Sequence, residues 1–335
     1  MGTLAAMVHL RIVVPGAKAE RVTDLLQAND AVSNLARMEG AARKPAGDVI
    51  LCDVAREEAS ILVEDLRELG VDDDGSISIE EVATQLSRAA DRATRAAGGL
   101  AGDAVVWEEV QGRTSEATEL NANFLAFIVL ACLIASVGIM LGQPILIVGA
   151  MVVGPEFGPL AGICVAIVQR RAAVALRSLV ALAIGFPSGI FAAFLFSRAA
   201  RDLGLVESSF RLDNHPLTSF ISEPNEFSFF VALFAGTAGV LSLTSAKSGA
   251  LVGVLISVTT IPAAAAIGVS AAYGDWPDWW GAIAQLAINL TAILLAGTVT
   301  LLVQNRVYQQ RRRRHRAERS GATGSLPVEE KPGQP

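Results

Sequence analysis

The sequence predicts an α+β soluble part followed by an all-helical membrane part, and three observations carry that reading. The 335 residues are 52% hydrophobic with a mean hydropathy of +0.46, too apolar for an ordinary soluble protein of this size. The apolar residues concentrate after about residue 121, in long runs with few or no charges. Charge divides at the same place: residues 1–120 hold 12 Lys/Arg and 22 Asp/Glu, a net of −10, and the remainder holds 15 and 11, a net of +4. An acidic soluble part argues against nucleic acid or anionic lipid as its partner.

The front of the chain alternates strand and helix signals. "HLRIVVP" (His9–Pro15) is β-branched, and "AERVTDLLQAN" follows with Val22, Leu25 and Leu26 at helical spacing. Then come "AVSNLAR", "GDVILCDVA", a second amphipathic helix "EEASILVEDLRELG" and a last strand "SISIEEV". This β-α-β-β-α-β order is that of a ferredoxin-like sandwich over residues 1–83, a small sheet with two helices on one face. Such a fold hosts regulatory and structural domains alike. Within it "GVDDDGSISIEE" imitates a calcium loop, but Gly70 stands where the first ligand belongs, so a polar turn entering a strand is expected. Residues 84–121 read as a helical linker. Its second piece carries Val105, Val106, Trp107 and Val110 as the apolar side of a membrane-surface segment.

From residue 122 to 305, six spans are expected at about 122–141, 144–169, 171–198, 227–244, 249–273 and 278–304, each near the ~20 residues that cross a hydrocarbon core. Arg170, Arg171, Arg177, Lys247 and the run Arg311–Arg316 fall on one side, which makes both termini cytoplasmic; Arg198, Arg201 and Arg211 oppose the bias. Trp276, Trp279 and Trp280 mark the outer interface. Residues 306–335 read as a basic, disordered cytoplasmic tail anchored by its arginines. Gly and Ala throughout the spans suit close helix packing, within one chain or in a homo-oligomer.

Six spans divide into two sets of three with opposite starting sides, so a structural repeat would be inverted. Val148-Gly149 before Pro159 in the second span matches Val252-Gly253 before Pro262 in the fifth, with spacing that differs by one residue. Both helices are expected to break at the midplane, because proline removes a backbone donor and disfavours helix in the residue before it. Broken backbone is tolerated at that depth only inside protein or along a wet cavity, and half-helix N-termini there favour anionic groups.

The candidate midplane site is therefore Gly154, Glu156 and Gly158 from "GPEFGP" with Ser257, Thr259 and Thr260 from "SVTTIP". Glu156, thirteenth of the 26 residues of its span, is the only ionisable residue deep in any of the six. A charged side chain there costs roughly 2.5–3.5 kcal/mol or more unless neutral, paired or hydrated. Ion or proton handling is the preferred role; a protonated glutamate that caps broken backbone is the bland one. Hydroxyls near a kink commonly satisfy freed carbonyls, which is the ordinary reading of Thr259 and Thr260. In "SLTSAKSG", Ser242, Thr244, Ser245, Lys247 and Ser248 are candidates for an entrance, with a solvated turn as the equal alternative.

At these residues the chain is similar to a known family. "ILIVGAMVVGPEFGPLAGI", "LSLTSAKSGALVGVLISVTTIPAA" and the approach "DAVVWEEV" resemble the prokaryotic membrane family called domain of unknown function 389. The resemblance covers nearly the whole chain and implies a multi-pass protein of a prokaryotic cell membrane, without supplying a substrate.

A secondary transporter of a small solute or ion is the leading expectation, with Glu156 as a proton- or cation-coupling residue. An ion channel gated by the soluble domain and a non-transporting membrane sensor are the alternatives. An enzyme is not expected. His9, His215 and His315 lie in separate segments and no two can share a metal or join a triad. The three cysteines (Cys52, Cys132, Cys164) have no metal or redox spacing. No cofactor is expected.

Overall fold

A computed structural model describes residues 7–82, 85, 87–97, 105–206, 226–245 and 252–323, with side chains left out at 116–117, 226, 252–259 and 314–323. The front of the chain forms β1 (Met7–Val14), α1 (Gly16–Gln27), β2 (Val32–Arg43), β3 (Ala46–Ala55), α2 (Arg56–Glu68), a one-turn α3 (Val71–Asp74) and β4 (Ser76–Glu81). The strands make one antiparallel sheet in the order β2-β3-β1-β4, which is the βαββαβ arrangement expected from the alternation. Period two explains the sheet's sidedness. Val8, Leu10, Ile12 and Val14 of β1 point into one core with Ile50, Cys52 and Val54 of β3, where α1 and α2 lay Val22, Leu26, Leu62 and Leu66 over them.

The calcium-like segment closes on a lysine. Lys18 Nζ donates to the Gly70 carbonyl and to Asp74 Oδ2, both at 2.7 Å, so an internal ammonium sits between two of the oxygens that the sequence places around Gly75.

The linker is not a free spacer. Helix α4 (Arg88–Ala97) buries Ala90 and Ala93 against Met7, Ala31 and Ala55 of the sheet. Helix α5 (Trp107–Ala117) buries Trp107 and Val110 against Cys164, Val165, Val240 and Leu301. The apolar side of α5 thus meets the helical bundle rather than lipid.

The bundle consists of α6 (Ala122–Met140), α7 (Pro144–Val153), α8 (Phe157–Gln169), α9 (Ala172–Asp202), α10 (Glu226–Thr244), α11 (Val252–Tyr273) and α12 (Trp276–Thr323). Among the described residues, four helices are long and apolar enough to cross a membrane, and the α7–α8 pair, bent by 54°, makes a fifth such unit. The described side chains of α11 form a shorter apolar stretch, Thr260–Tyr273. Side chains such as Ile145, Val148, Phe191, Phe227 and Phe234 lie bare on the bundle's outside, as befits a multi-pass membrane protein facing lipid. Glycine permits two close crossings: a Cβ on Gly236 of α10 would stand 2.8 Å from the Ile293 carbonyl oxygen of α12, and one on Gly268 of α11 would stand 2.6 Å from that of Ile190 in α9.

Two expectations are corrected here. The fifth helix does not break: α11 runs unbroken from Val252 to Tyr273 with Pro262 inside it. One proline deletes one helical hydrogen bond, and without flanking glycines the chain continues through the loss. The basic segment after residue 305 is also helical, as a direct continuation of α12 to Thr323. Its Arg312 reaches Glu64 Oε1 at 2.5 Å and Glu68 at 3.6 Å in α2, while Tyr308 donates to Glu64 Oε2 at 3.3 Å. Arg312 of that run thus meets carboxylates of the sheet domain.

Beside that contact lies a buried ionic centre. The Arg56 side chain, 4% exposed, donates to Glu109 Oε2 at 2.7 Å and Glu81 Oε1 at 3.1 Å, and Arg113 adds a second contact to Glu81 at 3.0 Å. Burial pushes the Glu109 carboxyl above its ordinary range, the Arg56 charge pulls it back, and Glu81 adds to the rise. Ser60 completes the junction: its Oγ donates to Glu108 Oε2 at 2.6 Å and accepts the backbone N–H of Trp107 at 2.9 Å.

Candidate functional site

The break in the second span is made from residues that lose little by breaking. Gly154 closes α7 in extended conformation (φ −62°, ψ 126°), as the residue before a proline prefers. Glu156 precedes α8 as its N-cap. The first bond of α8 runs from the Leu160 N–H to the Glu156 carbonyl at 3.2 Å. Pro159 therefore occupies a first-turn position whose N–H has no intrahelical partner in any helix. The expectation that Pro159 and Pro262 are counterparts is corrected on the same ground: the first sits in a helix's opening turn, the second in a helix's interior.

The Glu156 side chain is fully buried, and Thr260 Oγ1 donates to its Oε1 at 2.6 Å. The bond joins residues 104 positions apart and ties the break to α11. Of the six midplane candidates, Glu156 and Thr260 are brought into contact; Gly154 and Gly158 flank the glutamate half-buried. The side chains of Ser257 and Thr259 lie outside the described residues. From α6, Cys132 lies within electrostatic reach of the carboxyl, and Ser136 one turn on is fully buried with its Oγ bonded to the Cys132 carbonyl at 2.7 Å.

Polar groups at this depth do not stop with the two expected residues. Thr260 stands thirteen residues before the end of α11 at Tyr273, and Asn289 stands thirteen after the start of α12 at Trp276. At a rise of ~1.5 Å per residue both lie about 20 Å from the turn that joins these helices. Asn289 is fully buried and accepts from Gln285 Nε2 at 3.2 Å. Sequence reasoning passed over this pair because neither residue ionises. The signal was available: two amides spaced i, i+4 on one face of the apolar run "AIAQLAINLTAILLAG".

The entrance candidates divide. Thr244 is buried, donates to the Val240 carbonyl at 3.0 Å and accepts from Gln304 Nε2 at 2.9 Å, so it locks α10 to α12. Ser245 Oγ donates to the Ser242 carbonyl at 3.2 Å and closes the end of α10. Lys247 and Ser248 lie outside the described residues.

Chemically, the short hydroxyl bond from Thr260 holds the buried carboxyl of Glu156 in place. The aligned N–H groups of α8 and this hydroxyl both favour an ionised form. Among the described residues no group of three His, Cys, Asp or Glu is placed to hold a metal.

The chain is 28% identical over 195 residues to an uncharacterized protein of Methanocaldococcus jannaschii, a match that covers 58% of each chain. No solved structure matches. The family model for a domain of unknown function, DUF389, matches residues 151–295, which begin in α7, take in Glu156, Thr260 and Asn289, and end in α12. Over that range, the helical part of this chain is similar to the DUF389 family.

Proposed function

We propose that this is a non-enzymatic membrane transport protein, a secondary transporter of a small solute or ion whose coupling residue is Glu156. The observation that supports it is the short bond between the fully buried Glu156 and Thr260, which joins the helix pair broken at residues 154–156 to an unbroken neighbour. Broken helices in transporters occur where backbone and substrate share a polar site. The buried amides Gln285 and Asn289, at the depth of Thr260, extend the polar lining.

In this reading the helices form six spans. Both termini and the sheet domain are cytoplasmic, on the inner side of a prokaryotic cell membrane. The spans fall into two inverted sets, α6 to α9 and α10 to α12, and within each set the members pack on one another. The break belongs to the first set alone, so the two halves present unlike elements to the site: a helix end carrying an acid, and a helix side carrying a hydroxyl. The test is flux in proteoliposomes under an imposed proton gradient. Wild-type protein should move solute or protons, and Glu156→Gln should abolish the coupled movement while the protein stays folded; undiminished coupled flux in that variant overturns the assignment.

A second reading, a non-transporting membrane sensor, draws on two observations. Glu156 is fully buried and bonded, and the sheet domain is clamped to α12 through Glu64 and Arg312. It calls for proteoliposomes without flux in which a change at the sheet domain alters hydrogen exchange at Glu156.

A further inference from the structure

Paired half-helix N-termini would make the midplane attractive to an anion, but the structure holds only one. Helix α11 is continuous, so α8 alone presents an N-terminus at this depth, and its N-cap residue is the acid Glu156. That positive end already has a negative group of the same chain beside it. Among the described residues no basic side chain is buried in the bundle. An anion at this level therefore meets one acid and no counter-charge.

The other side of the break is negative. Gly154 carries the chain out of α7 in extended conformation, and Pro155 has no N–H to turn back on it. The last four carbonyls of any helix lack an intrahelical partner. Among the described residues no backbone N–H caps those of α7, Ala150 to Val153, whereas carbonyls at the ends of α6, α8 and α9 are capped. The Glu156 carboxyl makes no capping bond to α8 and is turned to Thr260 of α11.

A further oxygen stands at the same height. Helices α8 and α12 run side by side in one direction: Cys164 Sγ meets the Leu294 carbonyl at 3.6 Å, and Val168 and Asn305, further along each, line one cleft. Going back from Cys164 to Glu156 and from Leu294 to Leu286 covers ~12 Å along each helix. Glu156 is thus level with Leu286, between Gln285 and Asn289. Gln285 is 5% exposed, and its Oε1 meets no partner among the described residues.

We propose that the break binds a monovalent metal cation of the sodium or potassium class, held by the Glu156 carboxylate and the bare carbonyls of α7, with Thr260 positioning the carboxylate. A proton on Glu156 would neutralise the acid and leave those carbonyls unmet, whereas a metal cation collects several oxygens at once. One carboxylate sets the charge: a single positive charge leaves the buried pair neutral, and a divalent ion would leave one charge uncompensated in a dry interior. Among the described residues no three acids, thiols or imidazoles gather for a divalent metal. The inference deepens the transport reading by naming its coupling ion and rests on that reading for the ion's use. Binding itself is measured without flux.

The full chain in dodecyl maltoside at pH 8, in choline chloride, gives the baseline. Choline is replaced by sodium and, separately, by potassium at constant ionic strength. At least one of the two metals should raise the melting temperature by about 2 °C or more and slow hydrogen exchange at Glu156 and Phe157; the metal that acts is the ion assigned. Gluconate in place of chloride should change nothing. Glu156→Gln should remove the cation response while melting close to the wild type in choline. Thr260→Val should weaken the apparent affinity about fivefold or more. No shift with either metal overturns the site. So does a shift kept in full by Glu156→Gln, which would place the ion on the acidic sheet domain, or a shift that follows the anion. A cation shift without flux leaves this site standing and sinks the transport reading. Proton-coupled flux with no cation shift does the reverse.

Discussion

The molecule buries two charged residue types in opposite ways. Arg56, at the junction of the sheet domain and the helices, is met by two carboxylates, one of them 10% exposed. Glu156, inside the bundle, is met by a hydroxyl at 2.6 Å. Arginine stays protonated at any ordinary pH, so its burial is tolerated only with permanent counter-charges. A carboxyl has a neutral form, so a hydroxyl suffices to hold it. The junction is built around a fixed charge, and the interior of the bundle holds a residue that also has a neutral form.

The largest effect tests the fixed charge. Arg56→Met should lower the stability of the sheet domain's attachment by about 3–5 kcal/mol, because it strands Glu109 without a cation. Adding Glu109→Leu should recover most of the loss, since Glu81 keeps Arg113; thermal unfolding in detergent measures both. An unrecovered double variant would show that Arg56 acts through packing, and the contrast between the two centres would narrow.

Thr260→Val comes next. It removes the donor to Glu156 while keeping the shape, and should cost about 1–3 kcal/mol in the same melts. Thr260→Ser should cost less than the valine variant. Glu156→Gln should change stability by no more than about 1 kcal/mol, because the amide oxygen still accepts the Thr260 hydroxyl. A loss as large as that of Arg56→Met would mean that Glu156 is ionised in the folded protein.

The smallest effect is a slope with pH. Glu57 opens α2 with both carboxylate oxygens buried. Burial raises its pKa above 4.5, while its own backbone N–H and the charges of Arg311 and Arg56 oppose the rise. Between 4.5 and the raised folded value the native state holds the proton more tightly than the unfolded chain. Stability therefore falls as pH rises through that window. Melting temperature followed from pH 4.5 upward should show this decline in the wild type and a shallower one in Glu57→Gln.

The sheet was legible because period two is written plainly in Val8, Leu10, Ile12 and Val14, and because β2 and β3 pair as a local hairpin. Glu156 was legible for the opposite reason, as a single exception in an apolar run. Its partner Thr260 was reached through Pro262, which marks the right depth although it does not break α11. What the sequence hid is long-range. Nothing local to Tyr308 announces Glu64, 244 residues away, and nothing in "RRRRHR" distinguishes arginines that meet lipid from those that meet a protein carboxylate. Gln285 and Asn289 were hidden by a search for charge alone.

Helix α12 is continuous from Trp276 to Thr323, with Asn289 at the depth of Thr260 and Arg312 on Glu64. Between those two points lies no glycine–proline joint to take up torsion, in contrast to the second span. A rotation of this shaft about its own axis at the bundle's centre would be passed along an unbroken helix toward its far end. There it would swing Arg312 away from α2 and shear Tyr308 off Trp107. The gearing is rigid on one side of Glu156 and jointed on the other.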